Sequence, residues 1–217
     1  MMQARGLLLR LALLGLLAAA GCSRNPKPSL VPPQTVDMDA HVLKKFQQEI
    51  QEYVDARKKL TKGTTVTGKS SPEELAAFQR NLTQATVAHR KGEKQGNIFK
   101  PEVESAIRRI LARMFSGPDG PALIKAVKQG NPAVEGNPSP RDPTREAKQP
   151  VVVAVNAVYN DAAPFSSVPP SLLQNLPLLP EEVRYRFVGR ALILRDTEAN
   201  VILDFIRDVI PDRSIPR

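Results

Sequence analysis

The sequence predicts an α+β protein in which an N-terminal helical array precedes a small antiparallel β-meander with a short helix. In residues 37–129 apolar side chains recur every three or four positions, which is the spacing of one helical stripe. After residue 150 the period changes to two, which is typical of strands. Residues 130–150 contain five prolines, two glycines and few apolar side chains, so they are predicted to be a linker between the two regions.

The helical region is predicted to contain four helices. The first covers residues 37–60, with Asp37 or Asp39 as its cap. The second starts at Ser71 and Pro72, because a capping residue, a first-turn proline and acidic residues favour a helix start. The third starts at Pro101, and a short fourth covers residues 121–129. The apolar stripe of the first helix consists of Met38, Val42, Leu43, Phe46, Ile50, Tyr53, Val54 and Leu60. The expected inward side chains of the other helices are Leu75, Phe78, Leu82 and Ala85 in the second, Val103, Ile107, Ile110, Leu111 and Met114 in the third, and Leu123, Ile124 and Val127 in the fourth.

The C-terminal region, residues 151–217, is predicted to contain four strands and a short helix. Residues 151–159 are nearly all apolar, as expected of a strand covered on both faces, and residues 172–176 form the helix. Strands at 183–188, 191–195 and 201–206 then form the meander, the first two joined by a Gly189-Arg190 turn.

Hydrophobic matching predicts the register of these strands. The first turn pairs Phe187 with Leu192 and Tyr185 with Leu194. A four-residue second loop, 197–200, pairs Leu194 with Leu203 and Leu192 with Phe205, whereas a five-residue loop would place Asp204 in the apolar set. The shorter loop is therefore expected. The opposite face would then carry Arg184, Arg186, Ile193, Arg195 and Asp204.

The N-terminus has the pattern of an export signal. Residues 1–21 contain Arg5 and Arg10, a short apolar stretch and then small residues before Cys22. The residues Ala19, Ala20, Gly21 and Cys22 resemble the lipobox of bacterial lipoproteins. That resemblance implies that Cys22, the only cysteine, becomes the lipidated first residue of the mature protein. The alternative is an ordinary secretory signal with a cysteine near its cleavage point.

Lipidation would place the protein in the bacterial cell envelope, anchored to a membrane and facing the periplasm or the exterior. Residues 22–36 contain four prolines and are predicted to form a tether. The chain carries a net charge of +9, and residues 37–129 hold 17 basic against 11 acidic residues. Anionic lipid or envelope glycan is therefore an expected partner, with Lys58, Lys59 and Lys62 as the candidate contacts. The alternative is that these lysines form a solvated helix end.

The C-terminal stretch that includes residues 169–206, together with the helix near Phe46 to Leu60, resembles an uncharacterised family of exported bacterial proteins. The resemblance rests on Pro169-Pro170, on residues 185–190 and 196–200, and on Asp204, Phe205 and Ile206. It implies export, but it implies no activity and no catalytic residues.

We expect the protein to be a non-enzymatic interaction or structural module, because the sequence offers no motif for a named catalytic, metal or cofactor site. One cysteine excludes an internal disulfide, and the two histidines, His41 and His89, have no metal-ligand spacing, so neither a metal nor a cofactor is predicted. Nucleic acid is disfavoured as a partner because the chain is exported and has only seven Phe, three Tyr and no Trp. The alternative function is an envelope glycan or peptide hydrolase that uses carboxylate chemistry. A protein partner is not predicted.

Residues 63–70 match the phosphate-binding loop pattern, but their context contradicts nucleotide binding. Such a loop follows a buried strand, whereas residues 55–62 have the charged composition of a helix end. We therefore interpret the segment as a turn between two helices.

Lys69→Ala is expected to leave the thermal stability of the protein unchanged, with or without ATP and Mg²⁺, because the upstream strand is missing. Thermal denaturation with and without ligand measures this. A micromolar affinity for ATP that the substitution abolishes would contradict it and would favour a nucleotide hydrolase.

Overall fold

The computed structural model describes residues 33–61, 66–129, 131, 151–159 and 168–211, with the backbone alone for residues 33–37. These residues belong to one compact unit that begins at Pro33. Helices come first in the chain and a three-stranded antiparallel sheet comes last, which confirms the predicted α+β class. The helices are α1 (Pro33–Leu60), α2 (Pro72–His89), α3 (Pro101–Ser116), α4 (Gly120–Lys128) and α5 (Pro170–Leu173), and the strands are β1 (Val183–Val188), β2 (Ala191–Asp196) and β3 (Val201–Ile206).

Helix α1 supplies the centre of the main core. Phe46, Ile50 and Val54 are fully buried at a spacing of four residues, and the Phe46 ring stacks on Phe99 with 5.6 Å between ring centroids. The same core includes α3, α4 and one face of the sheet. Because residues of both predicted regions pack together in it, the helices and the sheet share one hydrophobic core.

Helix α3 runs antiparallel to α1. Arg109 forms an ion pair with Asp39, and Lys100 forms one with Glu49 at 2.6 Å, so later residues of α3 lie beside earlier residues of α1. Val103, Ile107 and Leu111 of α3 are buried as predicted, and Ile110 and Met114 are half-buried.

Helices α2 and α4 start as their sequences predict. Ser71 accepts a hydrogen bond from the Glu74 N–H while Glu74 accepts one from the Ser71 N–H, which forms a complete capping box. Leu82 of α2 is buried, but Leu75 of α2 is 45% exposed and Met38 of α1 is 68% exposed, which corrects their expected inward positions. Helix α4 follows α3 so closely that its first residue, Gly120, lies against the Phe115 carbonyl. A Cβ at this position would collide with the carbonyl oxygen, so only glycine fits there.

Helix α1 begins earlier than the sequence predicts. Pro33 is its first residue, so the last four residues of the predicted tether are helical. Proline is tolerated at this position because the first N–H groups of a helix have no helical partner. Asp39 lies inside the helix and pairs with Arg109, so it is not the expected cap.

The sheet has the order β1-β2-β3 and one irregularity. The Gly189-Arg190 turn, with φ of 56° at Gly189, pairs Phe187 with Leu192 and Tyr185 with Leu194 as predicted. Asp196 pairs with Val201, so the second loop has four residues. The predicted pairing of β2 with β3 is wrong beyond that loop. A register shift pairs Leu194 with Asp204, and not with Leu203, and it pairs Leu192 with Ile206, and not with Phe205.

The register shift is a β-bulge at Leu203, which places two residues opposite Leu194. Leu203 enters the main core and the Asp204 carboxylate turns toward the connection between α2 and α3, instead of lying on the opposite face. There it accepts hydrogen bonds from the N–H groups of Gly96, Ile98 and Phe99 at 2.8–3.1 Å. The bulge therefore fastens this connection to the sheet.

Residues 151–159 do not form the predicted strand. They form isolated bridges instead of a continuous strand: Val158 is bridged to Val201, and Val151 is a second bridge residue. Asn156 between them has φ of 63°, which interrupts an extended conformation. Val151, Val153 and Tyr159 pack on the sheet face opposite the helices, while Val152 and Val158 are about half exposed. The segment thus covers one face of the sheet as an irregular layer.

Asp204→Ala is expected to lower the free energy of unfolding by about 3 kcal/mol, because it leaves the buried N–H of Phe99 and the part-buried N–H groups of Gly96 and Ile98 without an acceptor. For a chain of this size that is a decrease in Tm of about 6–12 °C. Thermal unfolding followed by circular dichroism measures it.

Asp119→Ala is the matched control, since Asp119 is exposed and its side chain makes no capping bond. An equal loss of stability in both variants would contradict a special role for the Asp204 carboxylate.

Candidate functional site

The most polar interior site lies where the C-terminal end of α1 meets the β2–β3 turn. Asp196 is fully buried at the end of β2. Its Oδ1 accepts hydrogen bonds from the N–H groups of Glu198 and Ala199 at 2.9 and 2.8 Å, and its Oδ2 accepts one from the Tyr53 hydroxyl at 2.7 Å. Both carboxylate oxygens are therefore occupied by structural donors.

Arg57 balances the charge of this site. Its side chain is 2% exposed, its Nε lies 3.1 Å from Asp196 Oδ2, and its Nη1 donates to Glu198 at 2.6 Å. Burial opposes the charged form, but the Asp196 and Glu198 carboxylates outweigh burial and raise the pKa of Arg57. Burial, together with Asp196, raises the pKa of Tyr53 well above its ordinary value. Arg57 thus stays charged and Tyr53 stays neutral.

A second polar cluster ties α2 to the irregular layer and to β3. The Arg90 guanidinium donates to the Asn156 side chain at 3.0 Å and to the Leu203 carbonyl at 2.8 Å, and it lies 5.4 Å from the centre of the Tyr53 ring. Asn156 donates back to the Arg90 carbonyl at 2.8 Å. Arg90 is 6% exposed, so this cation is also used inside the fold.

These contacts bear on the hydrolase alternative, which needs two convergent carboxylates in a cleft. Asp196 and Asp204 are the buried carboxylates of the described residues. They lie on different strands, and each carboxylate accepts hydrogen bonds from its own set of backbone N–H groups. Within the described part of the chain, the buried carboxylates therefore have no free oxygen with which to act on a substrate.

One shallow depression, with a volume of about 190 Å³, lies between α1 and α3. Its polar lining consists of His41, Lys45, Glu49, Lys100 and Glu102. Lys100 and Glu49 are paired with each other, so the charges of both signs nearly balance. A second shallow depression, with a volume of about 50 Å³, lies between the end of α1 and α2.

The three lysines that are predicted to contact an anionic surface differ in their surroundings. Lys58 pairs with Glu182 at 2.7 Å, and this hydrogen bond raises the pKa of Lys58 and lowers that of Glu182. Lys59 is exposed near the end of α1, and Lys62 lies outside the described residues, as does Cys22. Their contact with an anionic surface stays a prediction.

The segment with the phosphate-binding pattern follows a helix and not a strand, since α1 ends at Leu60. Its described part, residues 66–70, forms a turn in which the Ser70 N–H donates to the Thr67 carbonyl at 3.0 Å. The structural context thus differs from that of a phosphate-binding loop. His41 and His89 are exposed on α1 and α2.

Neither a metal site nor a membrane span is found in the described residues. No three His, Cys, Asp or Glu side chains lie close enough together in them to hold a metal ion. None of the described helices combines the length and apolar composition needed to cross a bilayer.

Sequence reasoning missed the interior polar site for an identifiable reason. Arg57 was part of a basic run at a helix end, and Asp196 stood in a polar turn, so both resembled surface residues. The available signal was the spacing of four between Tyr53 and Arg57, which places them on the same face of α1 as the apolar Ile50 and Val54.

Comparison with known proteins adds no relative. No protein-family model matches the chain, and no curated protein or solved structure shows significant similarity to it.

Arg57→Met is expected to lower the free energy of unfolding by about 3–5 kcal/mol, because it leaves the buried Asp196 carboxylate without its cation. Urea denaturation measures the change. Lys58→Met is the matched control: its ion pair is exposed and screened by solvent, so the loss should be much smaller. A larger loss for Lys58→Met than for Arg57→Met would show that the interior site is not what joins α1 to the sheet.

Proposed function

We propose that the protein is a lipid-anchored lipoprotein of the bacterial cell envelope, in which a compact α+β domain acts as a non-enzymatic interaction or structural module. The observation that carries the proposal is the leader, in which Ala19, Ala20 and Gly21 precede the only cysteine of the chain. A cysteine required for a disulfide would need a partner, whereas a lipid attachment point needs none.

The position of the compact unit supports this proposal. Cys22 lies outside the unit that begins at Pro33, so lipidation there leaves the described core untouched. Residues 23–32 would separate the lipid from α1, and a chain of that length spans at most about 35 Å. Each buried lipid methylene contributes about 0.8 kcal/mol, so two or three acyl chains anchor a protein firmly.

The use of the buried charges supports a structural or binding role over catalysis. Arg57, Arg90, Asp196 and Asp204 are each engaged by groups of the fold itself. Catalytic groups usually have a reactive atom that faces a cleft. Here the buried polar groups join the helices to the sheet, which favours a stable module.

Cys22→Ser is expected to release the protein from the membrane fraction, because it removes the thiol that would carry the lipid. In wild type, mass spectrometry should find a mature N-terminus at Cys22 with the added mass of the acyl chains. Ser23→Ala is the control and should stay membrane-bound.

Two results would contradict the proposal. One is a mature protein that retains residues 1–21, and the other is a Cys22→Ser variant that stays as membrane-bound as wild type. Either would favour the alternative of an ordinary secretory signal or an uncleaved N-terminus.

A further inference from the structure

If the lipid is attached at Cys22, residues 23–32 limit the distance between the lipid and the start of α1 to at most about 35 Å. Helix α1 begins at Pro33, a short tether away from Cys22, and its 28 residues make it about 42 Å long. Lys58 and Lys59 therefore lie about 38 Å along the helix axis from the end that the tether joins. The start of α1 is the anchor-proximal end, and these lysines lie at the other.

The last turn of α3 lies at the anchor-proximal end. Arg109 pairs with Asp39, and α3 runs antiparallel to α1, so Arg113, one turn later, lies level with the first turn of α1. The Arg113 side chain is exposed, and no ion pair to it is found within the described part of the chain.

Helix α4 lies at the same end. It starts directly after α3, where Gly120 packs against the Phe115 carbonyl. Just past its C-terminal end, the Asn131 side chain bonds to both the N–H and the carbonyl of Gly189 in the β1–β2 turn. That turn lies at the opposite end of the sheet from the β2–β3 turn that holds the end of α1.

The solvent-facing side of α4 carries Lys125 and Lys128, three residues apart on one helix face. Both are exposed, and neither has an ion pair among the described residues. Asp119, just before α4, is the exposed carboxylate of this segment. Among the described side chains, the three cations thus outnumber the nearby unpaired acid.

We propose that Arg113, Lys125 and Lys128 form the membrane-facing surface of the protein, which we call the basic end, and that this surface contacts anionic phospholipid headgroups of the leaflet that holds the lipid. The inference rests on the proposed lipid anchor for its orientation. Neither shallow depression is lined by these residues. An open array of cations fits a charged surface better than it fits one small ligand.

The charges of the basic end orient the domain and do not replace the anchor. Each Lys or Arg beside an anionic leaflet strengthens binding about fivefold. Three such residues give a large combined effect at low salt. The Debye length falls from about 10 Å at 0.1 M salt to about 3 Å at 1 M, so this contact should be lost at high salt.

Vesicle co-sedimentation of residues 23–217, which contain the whole compact unit, tests the surface without the lipid. The vesicles are pure phosphatidylcholine or phosphatidylcholine with phosphatidylglycerol. We expect binding to the anionic vesicles only, with an affinity that falls at least about tenfold in the triple variant Arg113→Gln, Lys125→Gln and Lys128→Gln. Lys58→Gln, Lys59→Gln and Lys62→Gln together form the matched control, which decides between the two groups of cations. The contact predicted from the sequence would give this variant a large loss of binding, whereas the basic end predicts an effect of less than twofold.

A second variant separates charge from structure. Lys125→Arg with Lys128→Arg keeps the charge and should bind like wild type, and circular dichroism melting checks that every variant is folded. The inference is overturned by equal sedimentation with both vesicles, by a larger loss in the control variant, or by binding to lipopolysaccharide or peptidoglycan but not to the phospholipid vesicles.

The vesicle experiment and the test for lipid at Cys22 can succeed or fail separately. Mass spectrometry of the native N-terminus decides whether Cys22 carries lipid, while this soluble chain decides whether the basic end binds an anionic bilayer. Vesicle binding that fails while Cys22 is lipidated would overturn the surface and leave the lipoprotein proposal in place. Vesicle binding that succeeds while Cys22 lacks lipid would overturn the lipoprotein proposal and would leave only the affinity of the basic end for anionic bilayers.

Discussion

The buried ion pair between Arg57 and Asp196 connects the longest helix to the end of the central strand, and much of the architecture depends on that contact. A carboxylate removed from water needs compensation by a cation or by several hydrogen bonds, and Asp196 has both. The contact holds the end of α1 against the β2–β3 turn. The stacking of Phe46 on Phe99 and the pairing of α1 with α3 hold α3 beside α1, and α3 and α4 pack in the same core as one face of the sheet.

Asp204 performs a related task by different means. Within the described part of the chain Asp204 forms no ion pair, and the N–H groups of the connection between α2 and α3 surround its carboxylate instead. Irregular backbone of this kind has polar groups that no helix or strand satisfies, and a buried carboxylate can accept several of them at once. The β-bulge is what turns Asp204 toward this connection. A departure from regular pairing thus gives the helical region a second attachment to the sheet.

The fold also divides the basic residues into two groups. Arg57, Arg90 and Lys58 are paired or buried, although their sequence context resembles that of surface charge. Arg113, Lys125 and Lys128 are spread over 16 residues of sequence, yet the antiparallel packing of α3 and the start of α4 bring them to one end. A net charge of +9 therefore says little by itself about where an anionic partner binds.

The sequence by itself determined the α+β class, the helix starts at Pro72 and Pro101 and the Gly189 turn, because each depends on residues close together in the chain. It also carries the lipobox pattern on which the proposed function rests. Tertiary structure alone decided the bulge at Leu203, the irregular path of residues 151–159 and the partners of Arg57 and Asp39. The reason is physical: periodicity and caps report local backbone preference, whereas a buried charge finds its partner more than a hundred residues away, where only the packed core brings the two together.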